Sequence, residues 1–112
     1  MDKLEKYQKI LIGYLTEYAK RKPVNLPDVE NQVIADITNN HFQFTYVGWQ
    51  DDKFIFSTIL HFDIKNDKIW VQRNNTERLI DQELVECGVR AEDIVLGFQP
   101  DYVRERLEKV AV

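Results

Sequence analysis

The sequence has 112 residues, of which 44% are hydrophobic and 12% aromatic, and this size and composition predict a single domain with its own apolar core. The formal net charge of −4 argues against a surface that holds nucleic acid by charge alone, since that requires a dense basic patch. The lone cysteine, Cys87, excludes an internal disulfide. The charged N-terminus has no signal-peptide pattern, and no segment is apolar enough to span a bilayer. We therefore expect a cytoplasmic protein.

The first predicted element is an amphipathic helix over residues 2–22. Apolar side chains recur at helical spacing and form one stripe, made of Leu4, Tyr7, Leu11, Tyr14, Leu15 and Tyr18. Pro23 and Pro27 then prevent the helix from continuing and predict an extended linker. We expect the stripe to pack against the rest of the domain.

The middle of the chain alternates apolar and polar residues with the period of a β-strand. The pattern predicts strands over residues 33–37, 42–46, 54–64 and 69–73, separated by turns at Asn39-Asn40, near Asp51 and at Asn66-Asp67. One register keeps the large apolar residues together, and its facing pairs are Ile37–Phe42, Ala35–Phe44, Phe42–Leu60, Phe44–Thr58, Ile64–Ile69 and Phe62–Val71. This predicts a four-stranded antiparallel meander with Phe56 and Phe62 on the same face.

After Arg73 the pattern becomes helical. A second helix is expected to start near Thr76 and to end before Gly88, with a buried side made of Leu79, Ile80, Leu84 and Val85. Residues 93–98 are apolar and read as an extended segment or one irregular turn, and Pro100 opens a final helix with Val103, Leu107 and Val110. The predicted fold class is α+β: a four-stranded antiparallel meander sheet with an N-terminal helix and two C-terminal helices, in one domain over residues 1–112.

The only two histidines are the candidates for metal chemistry. In the inferred register His41 and His61 lie opposite each other near Asp63, and two imidazoles with a carboxylate are ligands that a transition metal accepts. Two half-exposed strand histidines give the same pattern, and no further strong ligand follows at motif spacing. We therefore expect no bound catalytic metal and no cofactor.

Nothing in the sequence has the form of a catalytic constellation. Cys87 has no nucleophile signature around it and is expected to be a small buried hydrophobic residue. The acidic pairs Asp51-Asp52 and Glu92-Asp93 are typical of turns and helix caps. The expectation is a protein that is not an enzyme.

The second face of the predicted sheet is too apolar for a fully solvated surface and too polar for a core. It carries Ile34, Thr45, Val47, Trp49, Ile55, Ile59 and Trp70 among Asp36, Gln43, Ser57, His61 and Gln72. Mixed aromatic surfaces of this kind often mark protein interfaces. The alternatives are that a helix covers this face, or that isolated tryptophans lie on an ordinary surface.

Several segments together resemble the XisI family, the fdxN element excision controlling factors of cyanobacteria. The resemblance is carried by Val47-Gly48-Trp49, Lys68-Ile69-Trp70-Val71-Gln72, Asn75-Thr76-Glu77, Glu86-Cys87-Gly88-Val89, residues 92–98, Pro100 and Arg104. It runs from the first helix nearly to the C-terminus and is most specific over residues 88–104. Gln99 stands where the family often has histidine, and a threonine is frequent in the family near Leu107, so a side-chain role at Gln99 does not transfer.

The resemblance implies a regulatory accessory protein for programmed DNA excision during heterocyst development, without recombinase activity of its own. It implies a companion factor, XisH, as the protein partner, with DNA reached only indirectly, and no membrane; self-association into a homodimer is a further expectation. The interface is expected to include Trp49, Trp70, Asp93, Phe98 and Arg104, where Arg104 suits either a carboxylate across the interface or an internal salt bridge to Asp93. The alternatives are a direct DNA-binding accessory protein of a recombination system and a small enzyme of unrecognised type.

Overall fold

The computed structural model of the protein describes residues 2–21 and 26–104. Helix α1 (Lys3–Ala19) is followed by strands β1 (Val29–Asp36), β2 (His41–Gln50), β3 (Lys53–Lys65) and β4 (Lys68–Asn74). Helix α2 (Ile80–Glu86), a 3-10 turn (Ala91–Asp93) and strand β5 (Ile94–Leu96) follow, and residues 101–104 are helical. The expectations for residues 22–25, and for Leu107 and Val110, fall outside the described residues.

The five strands form one mixed sheet in the order β1-β2-β3-β4-β5. The four predicted strands pair antiparallel in sequence order, which confirms the meander. The prediction of four strands is nevertheless wrong, because β5 adds a fifth strand parallel to β4. A parallel neighbour is reached through a crossover, here by way of α2, and so leaves no hairpin turn in the sequence to reveal it.

Only the last hairpin has the predicted pairing. Ile64 faces Ile69 and Phe62 faces Val71, across a turn in which Asn66 and Asp67 both have positive φ. The first hairpin is shifted by two residues: Phe42 faces Ala35 instead of Ile37. A four-residue loop replaces the expected two-residue turn, because the Asp36 carboxylate accepts hydrogen bonds from the backbone N–H groups of Thr38 and Asn39, and Ile37 is left exposed.

A bulge between β2 and β3 changes which β3 side chains lie on each face of the sheet, and the predicted faces are partly wrong. Phe44 pairs with Leu60 but Thr45 pairs with Thr58, so Ile59 is an extra residue on β3. Beyond the bulge the alternation is inverted: Phe62 is buried, whereas Phe56 is exposed on the other side of the sheet. The prediction that these two phenylalanines share a face is therefore wrong, and Ile55 and Ser57 exchange faces with Phe54 and Phe56.

Helix α1 covers one side of the sheet, here called the inner face. Its predicted stripe is confirmed, with Tyr7, Leu11 and Leu15 buried in a core that includes Phe42, Phe44, Leu60 and Phe62. The Asp2 side chain caps the helix by accepting from the Glu5 N–H at 2.8 Å. No helix in residues 2–21 and 26–104 has the length and apolar character needed to cross a membrane.

Helix α2 also packs on the inner face but starts later than predicted. It begins at Ile80, because the Thr76 N–H and hydroxyl both donate to the Asn74 side chain in a turn that precedes the helix. Ile80 and Leu84 are buried, while Leu79 and Val85 are exposed, so half of its predicted buried side is wrong. Gly88 follows the helix end with a φ of 110°, as predicted.

Candidate functional site

The face of the sheet opposite α1, here called the outer face, ends in a group of exposed aromatic side chains. Trp49 pairs with Phe54 across β2 and β3, and their rings meet edge to face with centroids 5.1 Å apart. Phe56 pairs with Val47 on the next position of the same face. Trp49, Phe54 and Phe56 are 53%, 51% and 68% exposed, and we call them the aromatic patch. Three large aromatic side chains this exposed on adjacent strands are unusual for a surface that only meets water.

A polar cluster lies on the outer face at the start of β2, opposite the end that carries the aromatic patch. His41 on β2 faces Asp63 on β3, and its Nδ1 lies 2.6 Å from Asp63 Oδ1. His61 Nε2 lies 2.7 Å from the same oxygen, and the Gln72 amide donates to Asp63 Oδ2 at 3.2 Å. Burial by itself raises the pKa of Asp63, but hydrogen bonds from His41, His61 and Gln72 outweigh it and hold the pKa below its usual value. The predicted proximity of the two histidines and Asp63 is confirmed. The prediction that the histidines face each other is wrong, because His41 pairs with Asp63 and His61 pairs with Gln43.

Trp70 lies at the β4 side of the outer face and is partly covered. The guanidinium of Arg104 and the ammonium of Lys65 lie 5.3 Å and 5.4 Å from its ring centroid. Arg104 also forms an ion pair with Asp101. Its guanidinium therefore has a carboxylate partner without the salt bridge to Asp93 or to another protein that the sequence suggests. Trp70 and Arg104 thus belong to one local contact, while Phe98 is exposed nearby in the chain.

Asp93 lies inside the domain instead of on a binding surface. Its carboxylate accepts from the Tyr7 hydroxyl at 2.5 Å and pairs with Lys3 Nζ at 2.8 Å. Burial by itself raises the pKa of this carboxyl, but the hydrogen bonds from Lys3 and Tyr7 have the larger effect and hold the pKa below its usual value. Because this contact joins the 3-10 turn to helix α1, Asp93 is a structural anchor and is not part of the aromatic patch.

The Asp93 anchor predicts an acid-dependent loss of stability. We expect Asp93→Asn to lower the free energy of unfolding at pH 7 by about 1–3 kcal/mol, since the charge-assisted bonds to Lys3 and Tyr7 are lost. A carboxyl whose pKa is lower in the folded than in the unfolded state stabilises the fold fully at pH values above its unfolded pKa, here 3.8. This contribution disappears as the pH falls through the folded pKa. Urea melts should therefore show the difference between wild type and variant at pH 7 shrinking below about pH 4. Asp52→Asn, in an exposed turn, is the control, and an equal loss there would contradict the anchor.

Cys87 and the acidic pairs have surroundings that the structure describes in detail. Cys87 is exposed at the end of α2, so the prediction of a buried cysteine is wrong. Partial burial, with Glu83 and Glu86 nearby, raises the pKa of its thiol, which disfavours the nucleophilic thiolate. Asp51 lies in a tight turn with a φ of 56°, and Glu92 pairs with Arg90, as expected for turn and cap residues.

The sequence matches a known protein family over its whole length: the model for the XisI protein covers residues 1–112. This chain belongs to the XisI family. A crystal structure of a XisI-like protein from Anabaena variabilis ATCC 29413 is 48% identical, with 92% of this chain and 94% of that chain covered and a TM-score of 0.84. The fdxN element excision controlling factor XisI from the same organism is 30% identical, with coverage of 92% and 99% and a TM-score of 0.77. The curated proteins include no match.

Two glycines explain why segments that carry the XisI resemblance have their particular residues. Gly48 lies against the start of β1, where a Cβ would stand 2.2 Å from the carbonyl oxygen of Asp28. Gly97 donates its N–H to the Val71 carbonyl at 2.9 Å, and a Cβ there would be 2.2 Å from Gln72 Oε1 and 3.2 Å from the Trp70 ring. The XisI segments at residues 68–72 and 92–98 therefore meet at the β4–β5 junction, through backbone packing.

Sequence reasoning missed two features of this XisI protein. The sequence predicts Phe54 and Phe56 on the core face, and only the bulge, which has no sequence signature of its own, brings them to the outer face. Arg78 was not singled out, although it pairs with Glu83 and lies 5.4 Å from the Tyr18 ring centroid. Its position just before α2 and five residues before Glu83 was the available signal, and its role is to fasten α2 to α1.

Proposed function

We propose that this XisI protein is a non-enzymatic accessory factor for excision of a DNA element, and that it acts by binding a companion protein of the XisH type through its aromatic patch. The family membership and the similarity to a protein described as an fdxN element excision controlling factor support the excision role. The observation that carries the binding role is the exposure of Trp49, Phe54 and Phe56 side by side on the outer face.

The chemistry of the patch favours a protein partner over DNA. Tryptophan and other aromatic residues dominate the binding energy of protein interfaces, where their rings fill apolar pockets of the partner. Affinity for duplex DNA depends instead on lysine and arginine neutralising phosphates, and the chain has a net charge of −4. DNA is therefore proposed to be reached only through the companion.

Within this proposal the five expected interface residues have different weights. Trp49 is exposed in the aromatic patch, while Trp70 pairs with Asp63 towards the other end of β3. Trp70 is partly buried, with the Arg104 and Lys65 side chains over its ring, and has less area left to offer. Phe98 is exposed at 48% and is placed at the margin, together with Arg104. Asp93 is left out because its carboxylate is used inside the domain.

Substitution in the patch tests the proposal. We expect Trp49→Ala to weaken binding of the XisH-type companion by about 2 kcal/mol or more, roughly 30-fold in Kd, because an interface tryptophan in a desolvated pocket is worth at least this much. Isothermal titration calorimetry with the purified companion measures the Kd. Ile37→Ala is the matched control, because Ile37 is an exposed apolar residue in the β1–β2 loop, outside the patch, and should leave the Kd unchanged.

Three results would overturn the proposal. The first is a Kd that is the same for wild type and Trp49→Ala, with both proteins giving the same thermal melt. The second is the lack of any binding to the companion. The third is direct binding to duplex DNA with a steep salt dependence, which would favour the DNA-binding alternative. Sedimentation of the same variants shows separately whether the patch instead joins two copies of the chain.

A further inference from the structure

The polar cluster on the outer face brings together the set of side chains that transition metals select. His41 Nδ1, His61 Nε2 and an oxygen of Asp63 all lie within 4.8 Å of one another, and these are the ligand atoms that each residue would offer. Two imidazoles and one carboxylate are a set found around zinc and non-haem iron. The sequence predicts this proximity but no metal, because no further strong ligand follows at motif spacing, and the structure adds that His41 pairs directly with Asp63.

We propose that His41, His61 and Asp63 form a binding site for a divalent transition-metal ion, for which Zn²⁺ is the probe. The backbone fixes all three positions, since His41 and Asp63 are paired residues of adjacent strands and His61 precedes Asp63 by two residues on the same strand and face. Ligands on paired strands are held more precisely than ligands on loops.

The distances in the cluster fit a site that closes around an ion with small movements. Tetrahedral zinc with bonds of about 2.0–2.2 Å holds its ligand atoms about 3.3–3.6 Å apart. The Asp63 oxygen is now 2.6 Å and 2.7 Å from the two ring nitrogens, so these separations must lengthen by about 0.6–1.0 Å. All the ligand atoms lie within 4.8 Å of one another, so no pair has to approach by more than about 1.5 Å. Side-chain rotation on a fixed sheet is enough for this, because the half-exposed His41 ring has room to move.

A supporting contact and an open side complete the site. Gln72 donates to the second oxygen of Asp63, which would hold the carboxylate in place as outer partners of metal ligands do. Three protein ligands leave at least one coordination position free. That position faces solvent on the outer face, where water or a ligand from a docked partner could occupy it.

Zinc titration of the metal-free protein tests the site. We expect one Zn²⁺ per chain by calorimetry, and shifts of the ring ¹⁵N signals of both histidines, the only two in the chain, at the same stoichiometry. Outer partners of a metal ligand are worth about 10–100-fold in affinity, so Gln72→Met should weaken binding by this amount and His61→Ala by at least about 100-fold. Cys87→Ser is the control: an exposed thiol can bind zinc by itself, but Cys87 is outside the proposed site, so this substitution should leave the affinity unchanged.

The proposal is overturned if wild type shows no saturable zinc binding, if the histidine signals do not move, or if binding survives His61→Ala. Loss of binding in Cys87→Ser would likewise overturn it and assign the zinc to the thiol. If His61→Ala does not fold, the wild-type ring signals and the Gln72→Met affinity still decide the question, because neither measurement requires the loss of a histidine.

Discussion

Truncation of Leu11 to alanine should lower the free energy of unfolding by about 2–5 kcal/mol, the usual cost for a fully buried leucine that leaves a cavity. Leu11 lies at the centre of the α1 stripe and has no exposed surface. It belongs to the same core as Phe42, Phe44 and Phe62 on the inner face of the sheet. The loss should therefore weaken the attachment of the helix to the whole sheet, and urea melts at pH 7 measure it.

The same substitution at an exposed leucine is the control for the loss of core packing. Leu79 is 60% exposed at the N-cap position of α2, so Leu79→Ala should change the free energy of unfolding by less than about 0.5 kcal/mol. Similar small losses in both variants would mean that α1 is peripheral to the core. In that case the assignment of the inner face as the buried side of the sheet would be wrong.

The parts of the fold that the sequence predicted correctly are those with a strong local pattern. The α1 stripe repeats its apolar residues over four turns, and the β3–β4 hairpin has a two-residue Asn66-Asp67 turn that permits only one pairing. Gly88 likewise marks a helix end through a backbone conformation that glycine adopts readily. In each case the residues that determine the structure are close together in the chain.

The parts that the sequence did not predict depend on contacts between distant segments. Strand β5 exists because residues 94–96 pair with β4 after a crossover, and the bulge at Ile59 is an adjustment between two strands, with no turn residue to mark it. The bulge alone decides whether Phe54 and Phe56 lie in the core or on the surface. Strict alternation of inward and outward residues along β3 therefore cannot predict the aromatic patch. The histidine cluster was foreseen because it lies on the side of the bulge where the alternation is intact.

The bulge and the polar cluster also give the outer face two chemically distinct halves. Before the bulge on β3 the face is aromatic and exposed, and after it the face holds His61 and Asp63 with their hydrogen bonds. The aromatic patch and the histidine cluster lie in different halves, because Trp49 and His41 are near opposite ends of β2, about 26 Å apart along the strand. A partner docked on Trp49 therefore does not need the proposed metal ligands.

Replacement of Gly48 by alanine should destabilise the protein by about 2–6 kcal/mol, since it combines a steric clash with backbone strain, each of which costs about 1–3 kcal/mol. The new Cβ would lie 2.2 Å from the Asp28 carbonyl oxygen and 2.8 Å from Val29 Cα, and both are backbone atoms that cannot rotate away. The φ of Gly48 is 155°, a conformation that residues with a side chain rarely adopt.

Gly13→Ala is the matched control for Gly48→Ala and should have the opposite sign. Gly13 lies inside helix α1 with nothing within 4 Å of the added Cβ, so alanine should stabilise the helix by about 0.5–1 kcal/mol. Thermal and urea melts of both variants measure the difference. If Gly48→Ala were as stable as wild type, the close approach of the β1 start to Gly48 would be disproved. The Val47-Gly48-Trp49 segment would then need an explanation other than backbone packing, and contact of its surface with the companion protein would be the one to examine.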